Sequence, residues 1–369
     1  MIYRQLGKTG YRVSQLGFGA MRLPMKGEGE NRAIDREKAI PMIHRAFEGG
    51  VNYIDSAVGY CNSDSQRAVG EALKGWRDKI VVSTKNHYFD EDEKTWWKNL
   101  EDSLERLQVE YIDIYNYHGT NKEQFGKIRS HAGKWMEKAR EQGLIKHICS
   151  SFHDSNEVLH MLIDSGLFEV LTLQYNLLDR QLQEGIAYAR ENGVGIVVMG
   201  PVGGGRLGVP SDILEEAAPD VRRVPELALR FVLANPNVSV ALSGMSTMQH
   251  VEENLAVASS DAALGAADLR RIEEQLDRLK AMADLYCTGC RYCMPCPAEV
   301  DIAGVFEVYN SARVYGLWDS ARARYAGMRR RKRSAENCTE CGACEEKCPQ
   351  KIPIRKQLKE AHERLAEQA

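Results

Sequence analysis

From residue 3 to about residue 261, short runs rich in β-branched and aromatic residues alternate with stretches whose apolar side chains recur every three to four positions. Such alternation predicts a parallel sheet with right-handed helical crossovers. The predicted strands cover 15–19, 52–55, 80–85, 112–118, 145–150, 170–174, 195–199 and 239–243, with helical periodicity between them, for example at 37–48, 93–107 and 155–165. Eight strands with eight helices fit a closed (β/α)8 TIM barrel of the α/β class. An open doubly wound sheet would need a glycine fingerprint after its first strand and an acidic partner about 20 residues on. Gly17-Phe18-Gly19-Ala20-Met21 opens no such turn. The triplet Gly203-Gly204-Gly205 follows the seventh strand instead, where barrel enzymes often hold phosphate.

Beyond the barrel the pattern changes. Residues 266–282 read as a charged amphipathic helix, and at Cys287 the chain turns to cysteine and proline. The boundary is expected near Asp284, giving a barrel over 1–283 and a small, mainly helical domain over 284–369. Residues 302–315 and 320–330 are predicted helices, the second ending in the basic block 329–333, which is a solvated face or a dock for an acidic partner.

Eight of the ten cysteines fall in two runs: Cys287, Cys290, Cys293 and Cys296 before Pro297, and Cys338, Cys341, Cys344 and Cys348 before Pro349. So many cysteines would suggest disulfides in a small secreted chain, but two tight runs in an otherwise cysteine-poor sequence point to metal. The second run has the spacing of bacterial dicluster ferredoxins, where three close thiolates wrap one 4Fe-4S cluster and the fourth reaches the other. By that logic one cluster takes Cys287, Cys290, Cys293 and Cys348, and the other Cys338, Cys341, Cys344 and Cys296. Structural zinc, which usually takes two separated pairs of ligands, is the alternative. The expected second domain is therefore a ferredoxin-like iron-sulfur domain with two 4Fe-4S clusters.

Charge and hydropathy narrow the classes further. Forty-nine Lys and Arg against 52 Asp and Glu, a net charge of -3, leave no global basic field to hold nucleic acid. The first residues lack the apolar core of a signal peptide, and no apolar run is long enough to span a bilayer. A cytoplasmic protein with no membrane partner is expected.

Barrel enzymes place their chemistry at the C-terminal ends of strands. Asp55 ends the second predicted strand, Lys85 the third and His118 the fourth, while Tyr60 lies on the loop after Asp55. Each has an ordinary reading, Asp as a helix cap and His as a structural residue, but three consecutive strands end this way. An inward Lys needs a counter-ion, and Asp55 is the nearest. Tyrosine has an unperturbed pKa of about 10 and gives up its proton more readily beside a cation, so Lys85 is expected to lower it. His118 would donate a hydrogen bond to a carbonyl oxygen. Together the four groups make a proton-transfer device.

At these positions the sequence resembles the aldo-keto reductases. The segment 50–57 with Tyr60, Ser83-Thr84-Lys85, and 113–118 look like that family's Asp, Tyr, Lys and His segments, and 6–10 and 13–19 are similar to its N-terminal hairpin and first strand. With the cysteine runs included, the whole chain resembles the ferredoxin-bearing branch of these reductases. The resemblance implies catalytic Asp55, Tyr60, Lys85 and His118, a small-molecule carbonyl or alcohol substrate, and NAD(P)H across the barrel mouth. Gly19 and Met21 would line that cofactor. Its carboxamide would be held at Ser151 and Gln174, with Asn176, His153 and Met199 close by. Its pyrophosphate would lie against Pro201, Gly203 and Arg206, and its adenosine end against Gly244, Met245, Ser246, Gln249, Glu253 and Asn254. Met199 stands where many members stack an aromatic ring, and Cys149 where glycine is usual. No Lys or Arg lies between Leu242 and Asn254 to pair with a 2'-phosphate, so NADH and NADPH are both open.

A nicotinamide moves two electrons as hydride whereas a 4Fe-4S cluster moves one. The clusters could therefore be structural. A second reading makes the chain an electron-transfer protein docking a ferredoxin or flavoprotein on 329–333, and a third a redox sensor with a vestigial barrel.

Overall fold

The computed structural model describes residues 1–28, 32–216, 221, 223–260, 264–281, 287, 291, 293–348 and 352–367. Eight parallel strands close on one another in chain order. They are β1 (Leu16–Gly19), β2 (Tyr53–Asp55), β3 (Val81–Asn86), β4 (Ile112–Thr120), β5 (Ile145–Phe152), β6 (Val170–Gln174), β7 (Gly195–Met199) and β8 (Val240–Ser243). The predicted TIM barrel is thus present. Closure pairs Gly17 with Leu242 and Phe18 with Ser243. Gly17 is tightly packed: a Cβ there would stand 2.7 Å from Val240 Cγ1 and 2.8 Å from Leu242 Cδ2, and both side chains would have to move. β4 runs two residues past its predicted end, and a register shift between Tyr117 and Thr120 brackets His118. Such irregularities bend a strand and re-aim its side chains.

The crossover helices follow from their patterning. In Glu93–Leu107 the buried Trp96, Leu100, Ser103 and Leu107 recur at helical spacing, and the Asp92 side chain caps the first turn by accepting from Lys94 N.

The N-terminal hairpin pairs Tyr3–Gln5 with Arg12–Ser14. It delivers Leu6 and Val13 to an interior cluster with Tyr53, Val81, Ile114, Val197 and Val240, so the hairpin plugs the end of the barrel away from the strand C-termini. Gly7, at φ +53°, lies against β7, where a Cβ would meet Gly195 N at 2.4 Å. The Arg4 guanidinium donates to the carbonyls of Leu233, Asn235 and Val238. These include an acceptor that a helix end leaves without an internal partner.

The chain divides into two compact units, residues 1–203 with 228–263 and residues 204–227 with 264–369. The second is mainly helical, with long helices Ala266–Ala281, Ile302–Tyr315, Trp318–Arg330 and Ile354–Ala366. Phe306, Tyr309, Tyr325, Met328, Leu358 and Leu365 form its apolar core. The buried Tyr325 hydroxyl lies 2.7 Å from His362 Nδ1 and accepts from Ala335 N at 3.2 Å. In the basic block, Arg329 Nε donates to Glu336 at 2.9 Å. Among the described residues, no helix is long and apolar enough to cross a membrane.

The cysteines of this unit correct the sequence reading. Cys290 lies outside the described residues. Cys348 is buried within the apolar core, Cys341 is exposed, and Cys287, Cys293, Cys296, Cys338 and Cys344 are half-buried. The Cys338 sulfur accepts from Glu340 N at 3.4 Å. A 4Fe-4S cluster needs four thiolates turned to one centre. Among the described residues, no three His, Cys, Asp or Glu side chains are grouped to hold a metal ion. The expected 4Fe-4S clusters and their cross-paired ligand sets are therefore overturned. The structural-zinc alternative and the electron-transfer and redox-sensor readings built on these cysteines fall with them.

Candidate functional site

Three neighbouring strands bring the expected polar groups to one end of the barrel. Asp55 faces Ser83 in the β2–β3 register, and Lys85 faces Asn116 between β3 and β4. Lys85 Nζ donates to Asp55 Oδ2 at 2.5 Å, to Oδ1 at 2.6 Å and to the Ser56 carbonyl at 2.8 Å. Ser83 Oγ donates to Asp55 Oδ1 at 2.8 Å, and Asn116 Nδ2 donates to Ser83 Oγ at 3.1 Å. Both charged groups are buried, Lys85 at 2% and Asp55 at 4% exposure. Burial is the largest single influence and depresses the ammonium, but Asp55 and Tyr60 together outweigh it, and the Lys85 pKa is raised.

Tyr60 is carried over this pair by an unusual turn. Cys61, Asn62 and Ser63 all have left-handed backbones, at φ +52°, +55° and +63°. Left-handed conformations are costly for residues with a Cβ and persist where the surroundings enforce them. Here Asp64 is held by Arg36 at 2.6 Å and 2.7 Å and accepts from Ile34 N at 3.0 Å. Ser65 Oγ donates to the Ala20 carbonyl at 2.8 Å. The result places the Tyr60 ring centroid 5.1 Å from Lys85 Nζ and 6.1 Å from the His118 ring, edge to face.

The electrostatics differ from the sequence expectation in one respect. Burial raises the Tyr60 pKa, and the opposing effect of Lys85 does not cancel it, so the net shift is upward. A spacing argument sees the cation but not the desolvation. His118 moves the other way: burial first, then Lys85, His153 and His87, lower it to about 4. Its imidazole is therefore neutral near pH 7, a hydrogen-bond donor rather than an acid.

The residues assigned to the cofactor ring the same end. Gly19 ends β1, where a Cβ would stand 3.3 Å from the Ser243 carbonyl, and Met21 is exposed. Ser151 Oγ accepts from Gly119 N at 2.8 Å. Gln174 and Met199 end β6 and β7 side by side. The Gln174 amide stands 3.2 Å from where a Cβ on Gly200 would be, and Asn176 Nδ2 donates to the Gly200 carbonyl at 3.1 Å. Pro201 is buried, Gly203 has φ +57°, and the Arg206 side chain lies outside the described residues. After β8, Met245 is fully buried, Ser246 Oγ lies 3.3 Å from His250 Nδ1, Gln249 Nε2 donates to Glu253 at 2.8 Å, and Asn254 Nδ2 donates to Ser243 Oγ at 2.7 Å. Sequence spacing missed Arg22. Its Cδ would stand 3.1 Å from a Cβ on Gly244, so the stem of an arginine from the β1 loop packs on the β8 loop. Residues 222 positions apart carry no local signal of such contact.

These donors suit a dinucleotide: amides for a carboxamide, glycines where backbone must approach closely, and a capped helix N-terminus at Met248–Ser259 for a phosphate.

Comparison with known proteins agrees with this geometry. Residues 15–277 match the model of the aldo/keto reductase family. Residues 286–352 match that of the 4Fe-4S dicluster domain, a likeness of sequence that the described side chains do not convert into a metal-holding group. The chain is 27% identical over 308 residues to L-galactose dehydrogenase of Arabidopsis thaliana, covering 75% of this chain and 95% of that one. It is 28% identical over 325 residues to NADH-specific methylglyoxal reductase of Escherichia coli, covering 74% and 98%. Among solved structures, the holo form of an aldo-keto reductase from Bacillus halodurans superposes with a TM-score of 0.65 at 30% identity, covering 74% of this chain and 96% of that one.

Proposed function

The chain belongs to the aldo/keto reductase family and is an oxidoreductase of that type, and from that premise we propose that it transfers a hydride between NAD(P)H and a carbonyl or alcohol, with Tyr60 as general acid or base. The observation that carries this reading is the buried Lys85–Asp55 pair beneath the Tyr60 ring, with a neutral His118 at the ring's edge. NAD(P)H, when bound, supplies the hydride. Ser151, Gln174, Gly203 and Asn254 would hold it, with Arg22 offering a charge for its phosphates.

The chain's own part is proton management. With its pKa raised by burial, Tyr60 is protonated near neutrality and donates to the oxygen of a carbonyl as charge develops there. Lys85, kept charged by Asp55, stabilises the phenolate left behind. Neutral His118 donates to the same carbonyl oxygen and polarises it.

The direct test follows loss of reduced nicotinamide absorbance when aldehydes and ketones are added to the protein. Loss that requires both protein and carbonyl supports the reading, and its absence across aldehydes and ketones with both NADH and NADPH sinks it. Arg22→Ala should raise the cofactor KM by about 10-fold, the worth of one charge-assisted hydrogen bond. An unchanged KM for both cofactors would remove Arg22 from the site.

A further inference from the structure

Three imidazoles stand on three adjacent strand ends. Asn86 is paired with Tyr117, so the next residues outward, His87 and His118, are neighbours across β3 and β4. His153 follows β5, and its N–H donates to the Thr120 carbonyl at 3.0 Å, which sets it against the end of β4. Lys85 turns inward to Asp55, and Asn86 turns outward, its Nδ2 donating to the Trp96 carbonyl at 3.1 Å. By strand alternation His87 turns back toward the mouth. The segment carrying it is held: Tyr88 N donates to Asn86 Oδ1 at 3.0 Å, Phe89 stacks on Tyr117 at 5.8 Å, and His131 Nε2 lies 2.7 Å from the Phe89 carbonyl. His87 and His153 are exposed, whereas His118 is half-buried.

Three carboxylates near these strand ends are engaged elsewhere. Asp55 is paired with Lys85, Asp90 with Lys127, and Asp154 accepts from Lys122 N and Ser155 N. We propose that the substrate carries a carboxylate a few bonds from its reducible carbonyl, and that His87 and His153 receive this carboxylate while His118 serves the carbonyl oxygen. The proposal rests on the hydride-transfer reading above and adds the substrate class to it. A carboxylate rather than a phosphate dianion is indicated because no Lys or Arg occurs in 86–91, 117–121 or 151–155.

The test compares 4-carboxybenzaldehyde with 4-nitrobenzaldehyde, a neutral isostere with a more activated carbonyl. The unmodified protein should show the higher kcat/KM for the carboxylate. His87→Ala and His153→Ala should each lower the carboxy-to-nitro ratio by about 10-fold, the loss of one hydrogen bond to a charged group. A nitro preference in the unmodified protein, or equal loss on both aldehydes in the variants, overturns the proposal and leaves hydride transfer standing. Failure to reduce either aldehyde, together with every carbonyl in the direct test, overturns both.

Discussion

Tyr60→Phe should lower kcat for carbonyl reduction by about 10²- to 10⁴-fold, the range general acid catalysis contributes. The ring remains, and with it the edge contact to His118 and the position over Lys85. The hydroxyl is lost, with its transferable proton and its hydrogen bond to Lys85. Steady-state rates with cofactor binding measured in parallel check this, because a loss confined to KM would move Tyr60 from chemistry to binding. The raised Tyr60 pKa also fixes a difference between the two directions. Carbonyl reduction uses the protonated phenol, which is present throughout the neutral range, so its rate should be flat there. Alcohol oxidation uses the phenolate, so its rate should climb with pH and reach no plateau below about 10, the unperturbed value. An oxidation rate that levels off near neutrality would show Lys85 prevailing over burial.

The second large effect concerns the ion pair. Asp55→Ala leaves the buried Lys85 without its counter-ion, and breaking such a pair typically costs about 3–5 kcal/mol. Burial, the largest influence on Lys85, is then opposed by Tyr60 without Asp55, and the balance moves toward the neutral amine. Turnover should fall along with stability. The double change Asp55→Leu with Lys85→Met replaces the pair by apolar groups, an exchange that is often neutral or stabilising. Chemical denaturation should show the double variant regaining most of the lost stability while remaining inactive. If activity returned with stability, the pair would be scaffolding alone.

Much of the barrel was legible because its signals are local. All eight strands were located by runs of apolar residues between helical stretches, since a strand buried on both faces cannot be polar at alternate positions. Asp55, Lys85 and His118 were found by one geometric rule, that strand ends meet at a common mouth. What escaped was anything set by three-dimensional surroundings. The two extra residues of β4 depend on a register shift that no periodicity records. Arg22 reaches Gly244 only because β1 and β8 close on each other. The direction of the Tyr60 shift is a contest between desolvation and a cation, and sequence shows only the cation. The cysteine runs have ferredoxin spacing, and Cys293, Cys296, Cys338, Cys341 and Cys344 line one pocket, yet spacing along a chain does not by itself group side chains to hold a metal ion, and among the described residues no three are so grouped.

The plug and the seam have a consequence for the order of assembly. Arg4 is bonded to carbonyls 229 to 234 residues downstream, and β1 pairs with β8 at similar separation. Contacts this distant in sequence delay folding, because loop entropy must be lost before they form. A nascent chain leaving the ribosome therefore carries β1 as an open edge until residue 243 has emerged, through most of the barrel's synthesis. The residues of the buried ion pair, Asp55 and Lys85, have both emerged long before the barrel can shut around them.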